Sequence, residues 1–147
     1  MSKISSSLAE LVQVLNDGIH FYLNAAAKVS DPKLSAFLLR MSYLKKTIAA
    51  DLNAEIAIEG DKPLEHGSLL GSIRKAYADA LAMLSDDTAH QYIAALEAHE
   101  DQVLAAFREA VLGDPSSRVR ELALMHFPEI EKMHADMRRL KENSPSA

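Results

Sequence analysis

The 147-residue sequence predicts an all-α protein whose core is a four-helix bundle. Apolar residues recur at intervals of three and four along almost the whole chain, which is the period of an amphipathic helix. The chain has only 5 Gly and 5 Pro, too few for the many turns of a β-sandwich or barrel. A long helical pattern, an Asp-Pro pair and a second long helical pattern occur twice, at Asp31-Pro32 and Asp114-Pro115. Two helical hairpins of this kind can bury their apolar stripes against each other in a four-helix bundle.

The first hairpin is predicted from about Ser6 to Gly60. Its first helix ends near Lys28, and Asp31-Pro32 then supplies a capping residue and a proline at the first helical position. Gly60 ends the second helix. The first stripe is Leu8, Val12, Leu15, Ile19, Tyr22, Ala26 and Val29; the second is Leu34, Phe37, Leu38, Met41, Leu44, Ile48, Leu52 and Ile56.

The second hairpin turns at Asp114-Pro115, with Gly113 as the C-terminal cap of its first helix. Pro128 lies inside the last helix and removes one backbone donor, so we expect a kink there. The stripes are Ile93, Leu96, Glu100, Val103, Phe107 and Ala110, then Val119, Leu122, Ala123, His126, Ile130, Met133, Met137 and Leu140.

The segment between the hairpins is too long for a short loop. It has its own helical pattern, made by Leu69, Leu70, Ile73, Tyr77, Leu81 and Leu84. We therefore expect a long crossover that contains an extra helix and joins two antiparallel hairpins, the ferritin-like form of the bundle. The whole chain, residues 1–147, is predicted to be a single domain.

Composition excludes several classes of function. The formal net charge of −5 argues against a broad nucleic-acid-binding surface. The absence of Cys excludes thiol catalysis and Cys-ligated metal sites. Apolar stretches are too short to span a membrane, and the polar, Ser-rich start does not resemble a targeting signal. We expect a cytoplasmic protein without membrane or nucleic-acid partners.

The second hairpin carries half of a metal-binding pattern. Ferritin-like metal sites take a Glu from each of two helices and Glu-x-x-His from each of the other two. Glu100 lies on an apolar stripe, and Glu131 and His134 form an intact Glu-x-x-His on the next helix. The first hairpin offers Asp17 but no Glu-x-x-His. Glu100, Glu131 and His134 are thus the candidate ligands for a single iron or zinc ion.

Each candidate ligand also has a structural interpretation. Glu131 is about 100° from Ile130 around the helix, which favours a solvated flank position. His134 lies closer to the core face, and a hydrogen-bonded histidine at the edge of the core is favoured over a metal ligand. A carboxylate on a core stripe is costly unless it is paired, so Glu100 is either a metal or ion-pair partner or a residue at the core boundary. No catalytic residue is predicted.

Several short stretches of the helical pattern are shared with a known family: Leu15-Asn16-Asp17-Gly18, Tyr22, Ala25-Ala26, Gly67-Ser68, Glu100-Asp101, Phe107-Arg108-Glu109-Ala110 and His134. In these positions the chain resembles a family of small bacterial four-helix-bundle proteins, classed as a domain of unknown function within the ferritin-like superfamily. The resemblance implies the bundle fold and no assigned chemistry. Phe21 replaces a common Gly and Thr47 a common acidic residue, which argues against a di-iron centre.

The leading functional hypothesis is a soluble, non-enzymatic bundle without a cofactor, acting through self-association or a protein partner. The alternative is a metal-binding protein with a degenerate ferritin-like site at Glu100, Glu131 and His134. A di-iron oxidoreductase is the third hypothesis, and it is disfavoured because the first hairpin lacks its half of the ligands.

Overall fold

The computed structural model describes residues 2–64, 88–113 and 117–143, which form four long α-helices and no strand. They are α1 (Lys3–Lys28), α2 (Pro32–Ile58), α3 (Thr88–Gly113) and α4 (Ser117–Asn143). The all-α class and the four long helices are confirmed. The extra helix predicted for the crossover, and the residues around Asp114-Pro115, lie outside the described residues.

Both helices of the first hairpin begin at a side-chain cap. The Ser2 hydroxyl accepts a hydrogen bond from the Ser5 backbone N–H, so α1 begins three residues before the predicted Ser6. The Asp31 carboxylate accepts from the Lys33 N–H, and Pro32 occupies the first turn of α2 as predicted. Gly60 follows α2 with a φ of 88°, a conformation that suits a residue without a side chain.

The helices pair as antiparallel neighbours. In the first pair, the Ser35 hydroxyl donates to the carbonyl of Ala26, which joins the start of α2 to the end of α1. At the other end, the hydroxyl of Ser2, which precedes α1, donates to the carboxylate of Glu59, which follows α2. In the second pair, Lys141 of α4 contacts Glu97 of α3, and His134 contacts a residue one turn further along α3. In each pair, the residue numbers of successive contacts fall along one helix as they rise along the other. The two helices of a pair are therefore antiparallel.

The predicted apolar stripes meet in one core. Buried side chains from all four helices form a single contacting cluster, among them Leu15, Leu52, Phe107 and Met133. Burial of these stripes is the main source of stability for such a bundle, because most helical stability in proteins comes from packing of the apolar face. The core also contains polar and charged side chains from three helices, which form the candidate site.

Truncating a core leucine should destabilise the bundle far more than truncating a surface leucine on the same helix. Leu96 is buried in the core, whereas Leu112 near the end of α3 is 78% exposed. Leu96→Ala is expected to lower the free energy of unfolding by about 2–5 kcal/mol through lost burial and cavity formation. Leu112→Ala should change it by about 0.5 kcal/mol or less. Urea denaturation of the two variants gives the comparison, and equal losses would contradict the core assignment.

Candidate functional site

A cluster of polar side chains lies inside the apolar core. We call it the interior polar cluster and define it as Tyr22 of α1, Lys45 of α2, and His99 and Glu100 of α3. All four residues are buried, and Tyr22, Lys45 and Glu100 have no exposed surface. The cluster therefore joins three helices at one point of the core.

Glu100 is the centre of this cluster. Its Oε1 lies 2.9 Å from the Lys45 ammonium nitrogen, and its Oε2 accepts a hydrogen bond from the Tyr22 hydroxyl. The Lys45 nitrogen also lies 5.7 Å from the centroid of the Tyr22 ring, within range of a cation–π contact. Both carboxylate oxygens are thus engaged, as a buried charge requires.

Burial and the neighbouring charges set the protonation states. Burial alone would raise the pKa of Glu100, but Lys45, then His99 and the Tyr22 hydrogen bond, bring it below its ordinary value. Burial, and then the charge of Glu100, raise the pKa of Tyr22 well above its ordinary range. The cluster is therefore an ion pair of carboxylate and ammonium with a neutral phenol.

His99 packs tightly against the ion pair and α1. Its ring makes an edge contact with Phe21, with 6.1 Å between the centroids. Its Nε2 would lie only 2.3 Å from a Cβ placed on Gly18, so the missing side chain of Gly18 makes room for the imidazole. Burial, followed by the charge of Lys45, lowers the pKa of His99 to about 4. The imidazole is neutral at pH 7.

The depressed pKa of His99 predicts acid lability. An unfolded chain binds a proton on this imidazole near its ordinary pKa of 6.5, whereas the folded chain binds it only near 4. Stability should therefore fall as pH is lowered through this interval, by up to about 1.4 kcal/mol per pH unit. Urea denaturation between pH 7 and 4 measures the slope, and His99→Gln should reduce it. An unchanged slope in His99→Gln would assign the acid lability to other groups.

The three predicted ligands lie in different surroundings. Glu100 lies in the core and accepts hydrogen bonds from Lys45 and Tyr22, whereas Glu131 is exposed. His134 lies at the edge of the core, with its Nε2 2.5 Å from Oδ1 of Asp101. The assignment of Glu100, Glu131 and His134 as ligands of one ion stays a prediction.

A different set of metal-ligating atoms lies around His134. One ligand atom each from Glu97, Asp101 and His134 lie within 4.8 Å of one another. Glu97 and Asp101 are one turn apart on α3, and His134 comes from α4. The Lys141 nitrogen also approaches Glu97, at 3.4 Å, so the group is part of an ion-pair network between the two helices.

Sequence reasoning found Glu100 but missed Lys45. The sequence allows two interpretations of Glu100, a metal or ion-pair partner or a residue at the core boundary. The structure shows that Glu100 belongs to a buried ion pair. Lys45 lies on the buried stripe of α2 between Met41 and Ile48, at helical spacing from both. This spacing was the available signal. A lysine is assigned to the surface by default, because few are fully buried unless paired.

Comparison with known sequences places the chain in a family. None of the four described helices is both long and apolar enough to cross a membrane. No protein of curated function matches the chain. The profile of the family described as "Domain of unknown function (DUF2383)" matches residues 3–112, which is most of the chain and includes all members of the interior polar cluster. The chain belongs to this family.

Proposed function

We propose that this chain is a non-enzymatic helical-bundle protein that acts by contact of its outer surface with another protein chain, either a second copy or a different partner. The observation that carries the proposal is the burial of the interior polar cluster. Its groups with shifted pKa values have the character of acid–base residues, but Lys45 and Glu100 are inside the core and engage each other. A substrate would have to open the bundle to reach them.

The outer face of α2 offers an apolar contact surface. Leu39 is 48% exposed and Tyr43, one turn further along, is 67% exposed. Residues four apart share a helix face, so the two side chains form one small apolar patch. Such a patch supports contact with another chain, because aromatic side chains such as that of Tyr43 are enriched at protein interfaces.

Sedimentation equilibrium tests self-association through this patch. We expect the native chain to have a mass above that of the monomer, and Leu39→Ser/Tyr43→Ser to shift the mass towards the monomer. Ile58→Ser is the matched control, because Ile58 is exposed at the other end of α2. A native chain that remains monomeric at high concentration would exclude the second copy as the partner.

A second candidate function is the binding of a single iron or zinc ion at His134. The sequence predicts Glu100 and Glu131 as its other ligands. The specific observation in favour of a metal near His134 is the approach of Glu97 and Asp101 to the imidazole. Carboxylates and imidazole suit iron and zinc, and water can complete the coordination. Under this proposal His134 is the ligand common to both sets.

Calorimetric titration with zinc and with iron(II) tests this candidate. His134→Ala should abolish binding. Loss in Glu131→Gln would support the sequence-predicted set, and loss in Asp101→Asn the alternative set. His126→Ala is the matched control, because His126 forms a similar contact with the carboxylate of Asp51, 2.6 Å away, outside the group around His134. Binding that is absent, or unchanged in His134→Ala, would remove this candidate.

We also propose the ferritin-like connectivity, because the relative directions of the helices support it. The start of α1 and the end of α3 line one cavity, through Lys3 and Gly113 among others. Tyr22 contacts Glu100 further from this cavity along both helices, so α1 and α3 are antiparallel.

The connection between α2 and α3 must therefore be long. Because α1 is also antiparallel to α2, α2 and α3 are parallel, and their connection must span about 40 Å at 1.5 Å per helical residue. The 29 residues between Ile58 and Thr88 suffice for a crossover with an extra helix. A cytoplasmic, bacterial setting remains part of the proposal.

A further inference from the structure

Lys45 places its ammonium group beside the buried carboxylate of Glu100, which requires a neighbouring positive charge. Bundles with inward carboxylates commonly neutralise them with metal ions. Here the Glu100 oxygens contact the ammonium of Lys45 and the phenol of Tyr22. The ammonium already supplies the positive charge, so an interior metal ion does not fit the cluster as it stands.

We propose that Lys45 is a tethered counter-ion in the cation position beside Glu100, so that the native interior rejects metal ions, and that removing its ammonium turns Glu100, His99 and Tyr22 into a divalent-cation site. This inference concerns the interior polar cluster alone. It is independent of the surface contact proposed above and of the metal set Glu97, Asp101 and His134, but it is incompatible with Glu100 as a ligand beside Glu131 and His134.

The rejection of metal follows from the energetics of the ion pair. A metal ion that bound Glu100 would displace the Lys45 nitrogen from its partner at 2.9 Å. The displaced ammonium would remain in the core, because Lys45 has no exposed surface. An unpaired buried charge costs several kcal/mol, and a freely diffusing metal ion must also overcome an intramolecular competitor.

The latent site follows from the position of His99. A Cβ on Gly18 would lie 2.3 Å from Nε2 of His99 and 3.0 Å from Cδ of Lys45. The imidazole and the lysine stem are therefore neighbours above the same glycine. Truncating Lys45 to alanine removes four heavy atoms between groups that include a carboxylate, an imidazole and a phenol. This donor set suits zinc, with water completing the coordination.

Zinc titration of truncated variants tests the inference. All variants carry His134→Ala, so that zinc bound near that residue does not contribute. Calorimetry should show one zinc per chain in Lys45→Ala and loss of zinc binding in Lys45→Ala/Glu100→Gln, which lacks the carboxylate ligand. Lys46→Ala is the matched control, because Lys46 is the adjacent, exposed lysine, and it should bind no zinc. A folded Lys45→Ala that binds no zinc would overturn the proposal.

Two further measurements keep the test decisive if Lys45→Ala folds poorly. Zinc should then restore its helical circular dichroism, because binding and folding are coupled; a chain that stays unfolded in excess zinc would contradict the proposal. In the native chain, zinc should leave the NMR ring signals of His99 and Tyr22 unchanged. Zinc-dependent shifts of those signals would show that the native interior accepts the metal.

Discussion

Lys45→Met is expected to lower the free energy of unfolding by about 3–5 kcal/mol, because it leaves the carboxylate of Glu100 in the core without its cation. Methionine is similar to lysine in length and is apolar, so little of the loss should come from packing. Urea denaturation at pH 7 measures the effect. Lys46→Met, at the adjacent exposed position, should change stability by about 0.5 kcal/mol or less.

A double variant separates the energy of the interaction between Lys45 and Glu100 from the effects of changing each residue alone. In Lys45→Met/Glu100→Gln the core holds no charge at this point, and the glutamine carbonyl can still accept the Tyr22 hydrogen bond. The double variant should therefore be more stable than Lys45→Met, with a coupling energy of about 1–3 kcal/mol. Costs that simply add would show that the two residues do not act as a pair.

Low pH should reduce the loss in free energy of unfolding that Lys45→Met causes. A buried carboxyl group without a cation takes up a proton more readily than it would in water. The variant should therefore lose least stability, relative to the native chain, where Glu100 can be protonated. A cost that stays constant from pH 7 down to pH 5 would indicate lost packing instead of an unpaired charge.

The helices could be predicted from the sequence because their signals are local. Apolar spacing along each helix, and the Asp31-Pro32 cap, depend only on neighbours within a few residues. The start of α1 was missed by three residues, because the hydroxyl of Ser2 caps the helix within a run of similar serines that each could do so. Helix ends are decided by single hydrogen bonds, which the apolar period does not report.

The interior polar cluster could be predicted only in part, because its partners come from separate helices. Glu100 was recognisable as a charged residue on an apolar stripe. Its partner depends on the register of α2 against α3, and the apolar spacing along α3 does not indicate which residue of α2 lies opposite Glu100. A shift of one residue turns a helix by about 100°, so a small error in register exchanges a buried lysine for an exposed one.

Gly18 lies in the middle of α1, where substitution by alanine has two opposing effects on stability. Alanine is favoured over glycine inside a helix by about 1 kcal/mol, so helix propensity alone predicts that Gly18→Ala stabilises the protein. The Cβ that it adds would lie 2.3 Å from Nε2 of His99, which is closer than nonbonded atoms approach. His99 is buried against Phe21 and cannot move into solvent. We expect a net destabilisation of about 1–3 kcal/mol.

Two comparisons attribute this loss to the contact with His99. Gly113→Ala adds the same methyl group at the end of α3, where no atom lies within 4 Å of the new Cβ, and it should change stability by about 0.5 kcal/mol or less. In a His99→Ala background the obstructing ring is absent, so Gly18→Ala should cost less than in the native chain or become stabilising. Thermal and urea denaturation of the four combinations gives the interaction energy. A stabilising Gly18→Ala in the native background would mean that His99 does not occupy the space above Gly18, and the packing of the interior polar cluster would have to be revised.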